Sequence, residues 1–573
     1  MKKLKYFLTF LLVVITVIGI ISWKPYEKPL RITIKRTSLP ITMCGATLTD
    51  WTDTTYRETK LLQGMGNLRY KISTTSPKAQ QFFEQGLKLV YGFNHWEAIQ
   101  SFREATVHDP NCAMAYWGLA LAYGPNLNDV NPADREILAF EAIQKAVARK
   151  QNATEVERAL IDAMAVRYDG KSYAVRDSLN KAYADAMLSV TKKFPNDPEA
   201  LTICADAIMN TMPWDYWLKD GSPKPETQQA KEILESTLKK FPEHPGAHHL
   251  YIHLVEASHP ELALPSAKFL EDAMPGAGHL VHMPSHIYVR TGQYERSTML
   301  NQRASLVDEE YLANSSNRGM YRWGYYPHNV DFVVYSAYME GRSALAVQTA
   351  MKLAYKGSLI TTSNPAFAQY FTVEPLHAFV RFGKWQDILS LPDPDENYIY
   401  ASLMTHYAKG LASVRGGNLA RAEKHLHKVD SLSKLDTLNQ FYFSFNPAAK
   451  IVQVPLHLLQ GEVLLKQQKV NEGLTALQKA VDAEEELRYN EPPDWKIPAR
   501  QFLGAALYDA GKFAEAEKVF NDDLKKNPLN GWSLKGLVLT QQKLGKKTEA
   551  TANEKLLTKA FKNSDVKVSS ARY

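Results

Sequence analysis

The sequence predicts an all-α protein, a right-handed α-solenoid of stacked helical hairpins carried behind an N-terminal signal or transmembrane helix. Three observations predict it. Helix punctuation returns with a period of 34 residues, no stretch alternates apolar and polar residues between turn dipeptides as a sheet would, and the chain opens on a charge-free apolar run.

The period is clearest from Ala79. The segment AQQFFEQGLKLVYGFNHWEAIQSFREATVHDPNC places Gly86, Ala98, Phe102, Ala105 and Pro110 at positions 8, 20, 24, 27 and 32, a spacing that resembles the tetratricopeptide repeat (TPR). The residue types follow from packing. Small residues belong where two antiparallel helices cross closely, Phe102 belongs between one hairpin and the next, and Pro110 ends a helix because it lacks the N–H. The next hairpin, from Ala113, keeps frame with Leu119 and Tyr123. The frame returns from Ile497 (Leu503, Gly504, Ala516, Phe520, Pro528) and Gly531 (Ala550), and in weaker copies near Leu403 (Gly410, Ala422, Leu426) and Val454 (Gly461, Leu477, Ala480). In the middle, KKFP at 192–195 recurs at 239–242, and Pro245-Gly246-Ala247-x-His249-Leu250 recurs as Pro275-Gly276-Ala277-x-His279-Leu280. These are helix-end and helix-start signals. The period therefore predicts roughly ten to twelve hairpins. It divides the chain into an N-terminal segment (1–23), a tether and cap (24–78), N-terminal and central repeats (79–395) and C-terminal repeats (396–573).

Composition narrows the function classes. With 573 residues and 45% hydrophobic content the chain folds rather than staying disordered. Its net charge of +7 sits in residues 1–36, where eight Lys and Arg face the single acid Glu27, and the remainder is balanced. A basic groove for nucleic acid thus has no support, and no nucleic-acid partner is expected. The eighteen residues Tyr6 to Trp23 carry no charge and are long enough to span a bilayer. The exit of the run reads Ile-Ser-Trp-Lys-Pro-Tyr rather than a small-x-small cleavage site, so a membrane anchor with the repeats facing the periplasm or exterior is expected. Cleavage and secretion are the alternative. Cys44, Cys112 and Cys204 form no CxxC; the latter two lie in apolar helical contexts and read as buried hydrophobes.

Histidine is concentrated in one stretch. Residues 244–286 hold eight of the chain's sixteen: His244, His248, His249, His253, His259, His279, His282 and His286. His249 and His253 are four apart on one helix, and His279, His282 and His286 follow on the next, so each set shares a face. The two PGAxHL segments place both faces on the same side of the solenoid. Neutral imidazoles at this spacing can bind a divalent transition metal such as zinc, copper or nickel. The plainer reading is that they cap helices, bond to carbonyls and pack on aromatics, since no HExxH or paired Cys completes a known ligand set. Two aromatic segments, one with Trp214, Asp215 and Trp217 and one with Tyr325, His328 and Asn329, suit a peptide or sugar ligand or, equally, packing between repeats.

Three phrases, AMAYWGLALAYGPN, HPGAHHLYIHLVEAS and PGAGHLVHMPSHIYVRTGQY, resemble those of a group of large, mostly bacterial TPR-domain proteins of unassigned chemistry. The likeness covers about residues 62 to 560 and implies a TPR-like helical fold. No G-x-S-x-G elbow, P-loop, dinucleotide fingerprint or haem motif is present, which weakens a claim of enzymatic activity. The leading expectation is an extracytoplasmic scaffold that binds a protein or peptide in its concave groove. The alternative is a metal- or small-ligand-dependent enzyme centred on residues 244–286.

Overall fold

The computed structural model describes residues 58–130, 135–171, 176–315, 320–359, 365–392, 395–443 and 445–573. The Tyr6 to Trp23 run lies outside them, and among the described residues no helix is long and apolar enough to cross a membrane. The described residues group as one unit.

Successive helices pair as hairpins along the whole described chain, from Pro77–Tyr91 with His95–His108 to Gly531–Lys543 with Lys547–Ala560. The one named β-ladder among the described residues is short, Tyr442–Phe443 against Asn446–Pro447. Hairpin ends follow the expected chemistry. Ser76, Asn94, Asp197 and Asn530 each accept from a backbone N–H of the first helical turn, and Pro77, Pro198, Pro225 and Pro245 open their helices, where a missing N–H costs nothing.

The packing follows the 34-residue frame. Phe102 is fully buried, and its ring fills the space that a side chain on Gly86 or Gly118 would need; a Cβ on Gly86 would sit 2.6 Å from the ring. Phe520 lies in the same way between Gly504 and Gly536. Glycine is required at these four positions by close approach of an aromatic ring, not by backbone conformation.

The two helices of a hairpin differ in burial. Nearly every residue of the first helices Ala113–Tyr123, Pro245–Val255 and Tyr326–Glu340 is buried, whereas the second helices Leu264–Ala273 and Lys547–Ala560 bury three residues and one. First helices therefore form an inner layer. They are covered on their far side by hairpins distant in sequence. The His249 ring bonds the Tyr91 carbonyl, the Tyr91 hydroxyl bonds Glu199, and the indole N–H of Trp532 donates to the Tyr338 carbonyl at 2.7 Å. Lys496 reaches Asp331 and Glu374, both at 2.5 Å, in a fully buried ion-pair network. Residues 58–76 run as a strap over the first hairpin: Leu62 N–H donates to Gln85, Ser73 bonds Glu157, and Gly64 accepts from the Gly276 N–H at 2.8 Å. Hairpins distant in sequence thus meet at their inner helices.

Candidate metal centre

Four helices and two loops converge on one cluster of rings. The helix Pro245–Val255 supplies His249 and His253; Gly278–His282 and Pro284–Arg290 supply His279, His282 and His286; the helix Tyr326–Glu340 supplies His328. Phe93 and Trp214 come from the loops that follow the helices Pro77–Tyr91 and Pro198–Met209. The repeated PGAxHL phrase does what its spacing predicts: His249 and His279 face each other with ring centroids 5.0 Å apart.

The six histidines form two triads. One ring nitrogen from each of His249, His253 and His279 lies within 4.8 Å of the other two, and the same holds for His282, His286 and His328. Each triad is built alike, a His-x-x-x-His pair on successive turns plus one histidine from a neighbouring segment. The triads touch, with centroids of His253 and His286 at 5.6 Å and of His279 and His282 at 5.7 Å. Glu256, His286 and Glu491 make a third group of the same compactness.

Hydrogen bonds fix which nitrogen is free to bind. A carbonyl can only accept, so His249 Nδ1 carries a proton donated to Tyr91 O at 2.6 Å; its Nε2 is then a bare lone pair with no hydrogen-bond partner. His282 Nδ1 donates to Asn301 Oδ1 at 2.6 Å, an orientation held by the Asn301 amide group donating to Ser285 and Ser297. His286 Nδ1 lies 2.9 Å from a Glu491 oxygen and 3.3 Å from Glu256, which also lies 3.5 Å from His253 Nδ1. A carboxylate behind the imidazole is the usual way to orient a metal-binding histidine and raise its basicity.

His282 Nε2 and His286 Nε2 are 2.9 Å apart. With Glu491 ionised and accepting from His286 Nδ1, two lone pairs face each other there, an arrangement a cation would bridge. With Glu491 protonated, as burial favours by pushing its carboxyl up to about 8, His286 Nε2 carries the proton and donates to His282 Nε2. Both ring nitrogens of His253 and of His279 also lack hydrogen bonds. Buried polar atoms are seldom left this way, and here five or more meet at one point. Burial holds His249 down to about 3 and His282 to about 4, and holds His253, His279, His286 and His328 well below the ordinary value, with a neighbouring imidazole as the next cause. All six are thus neutral, the form that binds metal.

Aromatic side chains shut the cluster off. Phe93 lies 4.4 Å from His249 and stacks on His253 and His279, Trp214 meets His253 edge-on at 5.1 Å, Tyr325 lies 4.7 Å from His279, and Phe332 abuts His282 and His286. Phe93 and Trp214 are two of four non-glycine residues with positive φ among the described residues, at 53° and 62°. Such backbone strain persists only where the surroundings over-determine it, and it gathers at functional sites. On the far side of Glu491 a cavity of about 220 Å³ is lined by Arg290, Tyr335, Arg488, Glu491, Asp494 and Asn527.

Other residues singled out in the sequence fall elsewhere. His244 caps its own helix, His248 bonds Ser266 and the Pro242 carbonyl, and His259 bonds the Gly221 carbonyl, all structural roles. Asp215 is exposed and pairs with Lys224 at 2.5 Å; the Trp217 indole donates to the Leu254 carbonyl and packs on His259. Asn329 is buried but bonds Asp308 at 2.7 Å. Sequence reasoning missed Phe93, Glu256, Glu491 and Asn301. Only Glu256 carried a usable signal, falling one turn after His253 on the same face.

No protein-family model and no curated protein matches the chain. Solved structures similar to it include a human IFIT1 dimer with m7Gppp-AAAA (13% identity, covering 79% of this chain and 90% of that one, TM-score 0.32). The APC/C hetero-tetramer Cut9-Hcn1 is another (14% identity, 85% and 76%, TM-score 0.30). A third is the TPR domain of P58(IPK) (12% identity, 82% and 99%, TM-score 0.22). At these scores the likenesses carry no argument about function; the repeat assignment rests on the hairpins themselves.

Proposed function

We propose that this protein is a metal-dependent enzyme built on a helical-repeat scaffold, with a pair of transition-metal ions held by His249, His253 and His279 and by His282, His286 and His328. The observation that carries the reading is the convergence of six imidazoles in two triads, with His249 Nε2 and both ring nitrogens of His253 and of His279 buried without a hydrogen-bond partner. Neutral imidazoles without thiolate select zinc, copper, nickel or iron over calcium or magnesium. Glu256 and Glu491 orient the rings, and Glu491 lies between the centre and the cavity, where a small polar molecule would meet the site.

The test is thermal. A ligand that binds only the folded state at about 1,000 times its Kd stabilises by ~4 kcal/mol. Zinc or copper added to chelator-treated protein is expected to raise Tm by several degrees, and calcium is expected to leave it unchanged. Equal shifts with all three ions, or none, would count against the reading.

A second reading, a scaffold for a protein partner, draws on Leu306 (67% exposed) and on Met351 and Tyr355 (52% and 63%). They stand on two outer helices joined by the Glu309–Lys352 ion pair. That reading requires that a protein captured with the native chain be released by Leu306→Glu with Tyr355→Glu, and not by histidine substitutions.

A further inference from the structure

We propose that the two ions are copper and that the centre binds dioxygen between them, reducing it to peroxide. The inference rests on the metal reading above and adds the identity of the metal and of its small-molecule ligand.

Three observations point there. The first is the ligand set. Both triads are all-imidazole, each a His-x-x-x-His pair plus one further histidine, and the carboxylates stand behind the rings rather than among the facing nitrogens. Equal, neutral, three-nitrogen sets leave each ion an open position and give the two ions the same preference for oxidation state. Imidazole accommodates both oxidation states of copper. A zinc or iron hydrolytic or oxygenase site generally takes a carboxylate directly.

The second is charge. A metal-binding imidazole is neutral, and His249, His253, His279, His282 and His286 are buried, so two monovalent ions place less uncompensated charge away from water than two divalent ions do. Uptake of dioxygen keeps the total charge. Each Cu(I) gives one electron and becomes Cu(II), the O2 molecule takes both electrons and becomes peroxide bridging the two ions, no proton moves, and the net charge of the centre is unchanged. A water-excluding site resists any change in net charge, and this step makes none.

The third is access. His249, His253, His279, His282 and His286 are each no more than 4% exposed, with Phe93, Trp214, Tyr325 and Phe332 packed against them, and only His328 is partly exposed. Behind Phe93 and Tyr325 lies a space of about 20 Å³, enough for one water-sized molecule. A diatomic gas passes such a barrier, whereas a peptide or sugar does not.

The experiment uses the full chain without a histidine tag, stripped of metal, loaded with Cu(I) under anaerobic conditions and then opened to O2. The expected result is uptake of one O2 per two coppers. A new near-ultraviolet charge-transfer band should accompany it, with no Cu(II) electron-paramagnetic-resonance signal because the two spins couple. Zinc-loaded native protein, which keeps the fold, is expected to show no uptake and no band. Two bound ions with no O2 uptake, or O2 producing ordinary uncoupled Cu(II) signals, would overturn the copper–dioxygen inference and leave the metal reading standing. Failure to hold any ion would overturn both.

Discussion

Replacing His249 and His282 together by Ala is expected to lower metal affinity by more than about 100-fold while leaving the helical circular-dichroism signal nearly intact. Loss of an outer partner of a ligand alone costs about 10- to 100-fold, and this variant removes one direct ligand from each triad. His249 bonds the Tyr91 carbonyl and His282 bonds Asn301, but the helices that hold them are seated by Leu250, Leu254, Leu280 and Ile287, so the fold should survive. If the double variant unfolds, or binds zinc and copper as before, the histidines are structural and the site lies elsewhere.

The largest effect on stability is expected at the aromatic plugs. Phe102→Ala and Phe520→Ala should each cost about 3 to 5 kcal/mol, the range for emptying a buried aromatic site. Each ring is fully buried between two glycines, Gly86 and Gly118 or Gly504 and Gly536, and glycine has no side chain that could move in to fill the gap. Because a repeat array need not unfold in one step, the loss is best read as hydrogen exchange of the hairpin 77–108 or 499–526. A loss below about 1 kcal/mol at both positions would refute the packing described for the repeat.

These plugs were the most legible part of the molecule. Gly, Ala and Phe at fixed offsets report a contact between neighbouring hairpins, and that contact is repeated wherever the frame holds, so Phe102 and Phe520 could be placed from the sequence alone. The facing of His249 and His279 was legible for the same reason, since two copies of one phrase put their rings on equivalent faces. Other features were not. Glu491 is 205 residues from His286, and Tyr91 is 158 from His249. Their meeting depends on how far the array turns over that span, and a local pattern does not encode that. The same long-range packing decides which histidines join the cluster. His248 and His249 are adjacent in sequence, yet one turns outward to Ser266 and the other inward to the cluster.

Trp214 and Phe93 show how the remaining signal was hidden. Both sit in loops at the ends of inner helices with positive φ, a state that a sequence marks only when glycine is present. Their role in covering the imidazoles follows from backbone placement, and nothing in their residue type announces it.

The most direct test of the central claim is the metal content of the full chain, purified without a histidine tag and without added chelator, measured by mass spectrometry of the elements against protein concentration. Two transition-metal ions per chain, falling to about none in His249→Ala with His282→Ala, is the result the two triads predict. Native protein that holds less than about a tenth of an ion per chain, and takes up none when zinc or copper is offered, would contradict it.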